Sequence, residues 1–320
     1  MGILIIKDLL SLIIDMICIN SLRHFLFTAL LISFCNVSVA QSIDIPGPFG
    51  SGKFGKVNVL TNGNFVVADL NYSESGLTNI GAVYLYNGIT HAIISVLKGS
   101  TTDDHVGQKV NILANGNFVV TSVNWHKNSI STVGAVTWVN GTTGLSGVVS
   151  SGNSLVGSTD GDAVGTNFIG LFNGNYVTST PTWNNGGSVQ NAGAATWCNG
   201  STGRIGIVSA SNSLVGGLQN YVGMGLTLLS NSNYIVTSEW WGNSLNSREG
   251  AVTWCNGTSG KTGTITSGNS LLGTTAGDYV GSGQVWALAN GNYVIVSPNY
   301  KNGAISYNYN LKESITNNQI

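Results

Sequence analysis

A chain of 320 residues with 8% charged residues, 44 glycines and four prolines is rich in turns and poor in material for long amphipathic helices. Its 42% hydrophobic content suffices for a core. A formal charge of -1 supplies neither the basic stripe that nucleic acids need nor the polybasic run that anionic membranes attract, so neither is an expected partner.

The first element is a leader. Arg23 and His24 precede an apolar run from Phe25 to Phe34, and Ser38-Val39-Ala40 places small residues where a signal peptidase reads them. This predicts a signal peptide over residues 1–40, bacterial-type export, and a secreted or cell-surface protein beginning at Gln41 with no membrane insertion after cleavage. Lys7, Asp8 and Asp15 break up the preceding apolar stretch, so Met16 is the expected start. Bulky Phe34 beside Cys35 argues against lipidation there. Cys18 and Cys35 leave with the leader. Cys198 and Cys255 occupy the same position in neighbouring repeats and are expected to stay unbonded.

From residue 54 onward the chain repeats. An Asn-X-Asn-aromatic anchor, X being Gly or Ser, begins at Asn62, Asn115, Asn173, Asn231 and Asn290, at separations of 53, 58, 58 and 59 residues. A second anchor, Gly-Ala-Val or a close variant, begins at Gly81, Gly134, Gly193, Gly250 and Gly303. Each copy runs through Val-Gly or Phe-Gly, an apolar segment, the first anchor, a second apolar segment, a polar loop and the second anchor. The first four continue through Asn87-Gly88, Asn140-Gly141, Asn199-Gly200 and Asn256-Gly257, and three then show Asn-Ser-Leu at Asn153, Asn212 and Asn269.

Asn-Gly between apolar runs signals a type I′ hairpin, so a full copy is expected to hold two hairpins. Four short strands in about 57 residues match one propeller blade, whose faces are buried by the blades on either side. The expected fold is therefore all-β: a single five-bladed β-propeller over residues 41–310, with 311–320 as a C-terminal tail. The last copy lacks its fourth strand, and Ser42 to Ile45 looks like the displaced piece. A ring closed by pairing of this N-terminal strand near residues 303 to 308 is expected, since closure removes open edges. A β-solenoid is the competing architecture.

The order Phe/Val-Gly, Asn-Gly-Asn-Tyr-Val, Ser297-Pro298 and Gly-Ala-Val-Thr-Trp resembles the FG-GAP propeller repeat of integrin α-chains, and more generally uncharacterised bacterial secreted repeat proteins. The resemblance covers about residues 42 to 310. It implies a calcium-binding loop between the first two strands, but that turn here is Asn-Gly-Asn without an acid, so the family's calcium site is not carried over.

Tyr72, Trp125, Trp183, Trp241 and Tyr300 recur seven residues after the anchor aromatic. They are candidate sugar-stacking platforms, the alternative being rings that fill the gaps between blades. Trp138, Trp197, Trp254 and Tyr307 lie within a strand and are expected in the core. Asp104, Asp162 and Asp278 stand two residues before the Val of Val-Gly, with Asn220 and Gly52 in the other copies; they are candidate calcium ligands or turn-capping acids. His91, His105 and His126 fall at three different repeat positions, and no metal-ligand or nucleophile motif accompanies them. Asn140, Asn199 and Asn256 head sequons that turn chemistry explains. A glycosidase would need unlike carboxylates converging near the axis, for which Glu239 and Asp69 are the candidates.

The expectation is a non-catalytic, cofactor-free monomer that binds or adheres to a protein or glycan on a surface through the loops at 72–80, 125–133, 183–192 and 241–249. A multivalent lectin using the aromatic set and a secreted hydrolase are the rivals.

Overall fold

The computed structural model describes residues 42–302, 305–306 and 311–314. The expected leader lies outside them. No helix occurs among the described residues, and none is long and apolar enough to cross a membrane.

The strands follow the repeat. The first copy gives β1 (Phe54–Val59), β2 (Phe65–Asp69), β3 (Ala82–Tyr86) and β4 (Ile93–Lys98). The second gives β5 (Lys109–Ile112), β6 (Phe118–Ser122), β7 (Ala135–Val139), β8 (Gly147–Val148) and β9 (Leu155–Val156). The third gives β10 (Asn167–Gly170), β11 (Tyr176–Thr180), β12 (Ala194–Cys198), β13 (Gly206–Ile207) and β14 (Leu214–Val215). The fourth gives β15 (Gly225–Leu228), β16 (Tyr234–Ser238), β17 (Ala251–Cys255), β18 (Gly263–Thr264) and β19 (Leu271–Leu272). The fifth gives β20 (Val285–Ala287), β21 (Tyr293–Val296), β22 (Lys301–Asn302), β23 (Ile305–Ser306) and β24 (Leu311–Ser314).

Each copy builds one blade-type sheet around an antiparallel meander, such as β5-β6-β7 or β10-β11-β12, and the fifth adds a separate two-stranded pair, β22 with β23. The protein is all-β, with five blade-type sheets in chain order, as the repeat predicts. The core lies between sheets. One apolar cluster joins Val66, Ala68, Val83 and Leu85 of the first copy to Phe118, Val120 and Ala135 of the second. Val119 and Val136, pointing to the opposite face of the same strands, pack with Tyr176, Ala194 and Cys198 of the third. Two further clusters continue the pattern to Ile295. Sheets buried on both faces, with antiparallel pairing inside each copy, are blades; a solenoid would stack parallel rungs along the whole chain.

Two local expectations are corrected. The segment after the second Asn-Gly does not fold back as a hairpin. In the second to fourth copies it crosses to the preceding sheet: β8 pairs in parallel with β4, β13 with β9 and β18 with β14. The fourth strand of these blades is instead the Asn-Ser-Leu segment, with β9, β14 and β19 antiparallel to β7, β12 and β17. Asn153 turns the chain between the two, accepting from Ser150 N at 2.9 Å and donating to Val148 O at 2.9 Å. Asn212 and Asn269 repeat this. Among the described residues the first copy alone has the simple hairpin, β3 with β4, and it lacks Asn-Ser-Leu. The donated strand also covers an edge that would otherwise be open.

The first turn is not type I′ either. Gly63 N–H bonds Leu60 O at 3.1 Å and Leu60 N–H bonds Asn64 O at 2.8 Å, with positive φ at Gly63 (86°) and not at Asn62. This is a three-residue loop ending in a left-handed residue, for which glycine suits best. Gly116, Gly174 and Gly291 match it, and Ser232 takes the same position at φ 68°.

At the ends, Ser42 to Ile45 carries no strand. Most of its expected partner near 303 to 308 falls outside the described residues. β24, placed in the expected tail, instead pairs antiparallel with β21 as the third strand of the fifth sheet.

Candidate functional site

The five recurring aromatics are framework. Trp125, Trp183 and Trp241 are 4%, 1% and 6% exposed and sit in three successive inter-sheet cores. Tyr300 packs against the fourth core. Tyr72 is half-buried: its hydroxyl donates to Glu74 Oε2 at 2.7 Å, and Lys98 Nζ holds the same carboxylate at 2.6 Å. That hydrogen bond raises the Tyr72 pKa to about 12. A stacking platform needs an open ring face, which Trp125, Trp183 and Trp241 lack, so these three do not serve as the expected sugar platforms. What repeats in these rings is gap-filling between blades.

The recurring acids hold backbone. Asp104, Asp162 and Asp278 are fully buried. Asp162 accepts from Ser158 N at 2.7 Å, Thr159 N at 2.8 Å, Thr159 Oγ1 at 2.6 Å and Asn184 N at 2.9 Å. Asp104 accepts from Ser100 N, Thr101 N and His126 N, and Asp278 from Thr274 N, Thr275 N and Lys301 N. Each acid thus ties its own turn to the loop just past the aromatic of the next copy. Carboxylates ringed by N–H donors do not suit a calcium ion, which needs oxygen ligands. Among the described residues no group of three or more His, Cys, Asp or Glu is placed to hold a metal.

Other singled-out residues also resolve locally. His126 Nδ1 lies 3.0 Å from Asp104 Oδ1 and His105 Nδ1 3.2 Å from Leu70 O. His91 closes the second turn of the first copy, its N–H on Asn87 O at 2.9 Å. Asn140, Asn199 and Asn256 each cap the first N–H groups of their own turn through Oδ1. Asp69 is fully buried, with Gly52 N, Lys53 N and Asn71 N on its oxygens. Glu239 is half-buried, and burial raises its pKa. Cys198 and Cys255 are free and buried, and burial pushes both thiols up to about 12.

With the repeated residues assigned to structure, the departures stand out. Position nine after the first anchor is Asn71, Asn124, Thr182 and Asn299 in four copies but Trp240 in the fourth. Two further positions have left-handed backbone in four copies each, though not at the equivalent Lys301 and Lys53. One lies two residues before the second anchor: Asn79, Thr132, Asn191 and Arg248, at φ 53°, 49°, 50° and 50°. The other lies between the recurring acid or Asn220 and Val: His105, Ala163, Tyr221 and Tyr279, at φ 48°, 50°, 47° and 46°. The pairs face each other across copies, as Tyr279 N–H on Arg248 O at 3.2 Å. Left-handed backbone disfavours bulky residues, so Tyr221, Arg248 and Tyr279 are costly there by roughly 1 kcal/mol each.

These four departures meet. The Tyr221 and Trp240 rings are 5.0 Å apart, edge to face at 76°. The Arg248 guanidinium lies 4.6 Å from the centre of the Trp240 ring, and its Nη1 is 3.4 Å from Tyr279 Oη. All four side chains are partly exposed. The preceding loop, Gly242 to Ser247, exposes Asn243, Ser244, Leu245 and Asn246. Sequence reasoning named this loop as variable but missed the cluster, because adjacent Trp241 drew attention as part of the repeated set. The available signal was Trp240's absence from every other copy.

A model of a repeat of unknown function, DUF5650, matches residues 59–108, 112–166, 170–223, 228–282 and 287–308, more than half of the chain. The chain belongs to the DUF5650 repeat family. Each of the first four DUF5650 spans ends at or just past the Val-Gly of the following copy, so a sequence unit includes the segment that bridges one blade to the next. No curated protein matches. A solved structure described as the Dos1 propeller is 11% identical over 74% of this chain, with a TM-score of 0.35; the chain spans about half (51%) of its length.

Proposed function

We propose that this DUF5650 chain is an exported, non-catalytic binding or adhesion module that presents loops from a rigid propeller framework, FG-GAP-like in outline, to a protein or glycan on a surface. One observation carries the reading: the residues common to the copies are spent on structure, whereas the large, partly exposed departures at Tyr221, Trp240, Arg248 and Tyr279 converge at one place. A rigid scaffold holding one distinctive loop cluster is a usual form of binding site. Export rests on the leader-like segment of residues 1–40. Non-catalytic action is supported by Asp69, which is fully buried with three backbone N–H groups on its carboxylate and so is out of reach of a substrate.

The test is to probe arrays of immobilised proteins, glycans and intact cells with purified residues 41–320. Saturable binding that leaves the ligand chemically unchanged is expected. Turnover of a bound polysaccharide, or no saturable binding to any surface, contradicts the reading.

A further inference from the structure

We infer that the cluster of Tyr221, Trp240, Arg248 and Tyr279 is a binding site for a carboxylated pyranose, such as a uronic acid residue within an acidic glycan. The inference rests on the binding-module reading and adds the ligand class.

The argument begins with Arg248. Among the described residues the arginine–carboxylate pairs are none: the ion pairs are Lys98 with Glu74, His105 with Asp103 and His126 with Asp104. The neighbouring carboxylate of Glu249 is already held by Asn243 N–H and the Ser247 hydroxyl. Arg204, the other arginine of the repeat region, gives its Nε–H to Trp197 O at 2.9 Å. Arg248 spends one donor on Tyr279 and lies over Trp240, which fixes the guanidinium plane and leaves the rest of its five donors. A pre-oriented guanidinium with open donors suits a planar carboxylate, which it can bind through two parallel hydrogen bonds.

Trp240 and Tyr221 supply the second half. Aromatic surface beside a fixed cation matches a ring carrying C–H groups on its faces and a carboxylate at its edge. The exposed amides and hydroxyls of Asn243, Ser244 and Asn246 suit sugar hydroxyl groups. Arg248 is the one cationic side chain of the cluster and balances one carboxylate, whereas a densely sulfated chain would call for a basic patch.

The repeat itself provides variants that the framework accepts. Arg248→Thr installs the residue of Thr132, and Trp240→Asn that of Asn124, at equivalent positions. Titration of purified residues 41–320 against carboxylated, carboxyl-reduced and sulfated glycans, with thermal melting as a check on folding, tests the assignment. Preference for the carboxylated glycan is expected. Arg248→Thr and Trp240→Asn should each weaken it by about 10-fold or more with the melting temperature unchanged or higher. Arg248→Lys keeps the charge but loses the fork, and should also bind more weakly. Undiminished affinity in Arg248→Thr, equal affinity for carboxyl-reduced glycan, preference for sulfated glycan, or no glycan binding would each overturn the assignment. Saturable binding to a protein alone would overturn the ligand class while leaving the binding-module reading standing.

Discussion

The side-chain amide of Asn115 donates to the carbonyl oxygen of Gly200 at 2.8 Å, eighty-five residues downstream and in the next copy. Asn117 Nδ2 reaches the same oxygen at 3.0 Å and Trp138 Nε1 at 2.8 Å. One carbonyl thus accepts three side chains from the preceding blade. Asn173, Asn175 and Trp197 do the same to Gly257. Gly200 has no alternative residue: a Cβ there would overlap the carbonyl of Gly174. The Asn-Gly-Asn motif is therefore a blade-to-blade fastener.

Asn117 also accepts Gly141 N–H at 3.1 Å, so it joins two turns of its own copy to the next. Asn117→Ala should cost about 1–3 kcal/mol, more than Asn115→Ala, because it strips the part-buried Gly141 N–H of its acceptor, whereas the N–H that loses Asn115 Oδ1 is exposed to water. Urea unfolding of the two variants gives the comparison.

The indole N–H groups of Trp125 and Trp183 meet no protein acceptor, although both rings are buried. Their contribution is volume. Trp183→Phe should therefore be mild, whereas Trp183→Ala should cost about 3–5 kcal/mol by opening a cavity between two blades. Calorimetric melting separates the two cases.

Asp162 and Asn220 occupy equivalent positions but are not interchangeable. Asp162 takes an N–H from Asn184, while Asn220 gives its own N–H to Gly242 O at 3.2 Å. Both Asp162→Asn and Asn220→Asp should destabilise by about 1–3 kcal/mol, since each leaves a mismatched pair in a buried site. Chelators should leave the melting temperature unchanged, because N–H donors occupy the acids.

Cys198 and Cys255 set an upper pH limit. Their folded pKa values, about 12, lie above the ordinary value of 9.0, so the folded state favours the protonated thiols. Their stabilising contribution is complete below about pH 9 and is lost as pH rises toward 12. Val139 fills the same place in the second copy, so Cys198→Val with Cys255→Val should flatten the fall in melting temperature across that range.

Much of the fold was legible because the residues that make it recur. Two anchors in fixed order gave five repeats, and four short strands in each gave blades buried on both faces. The crossing of β8, β13 and β18 was not legible: two-residue strands carry no periodicity, and partner choice depends on a neighbouring copy. The turn type was misread because Asn-Gly suits both a two-residue loop and the left-handed end of a three-residue one. For the site, recurrence misled. Trp125, Trp183 and Trp241 recur because every gap between blades needs filling, while Trp240, which is partly exposed, has no counterpart in the other copies. The fixed φ at positions such as Arg248 and Tyr279 belongs to the backbone and has no sequence signature beyond the tolerance of Asn and Ala at their equivalents.

The claim that repeated residues build the scaffold and departures bind is tested most directly by one repeat-averaged chain carrying Trp240→Asn, Arg248→Thr and Tyr279→Ala. Its melting temperature and its binding to the surface recognised by the parent protein are measured together. An equal or higher melting temperature with binding reduced at least about 10-fold is the expected result. Full binding at parental stability would contradict the account.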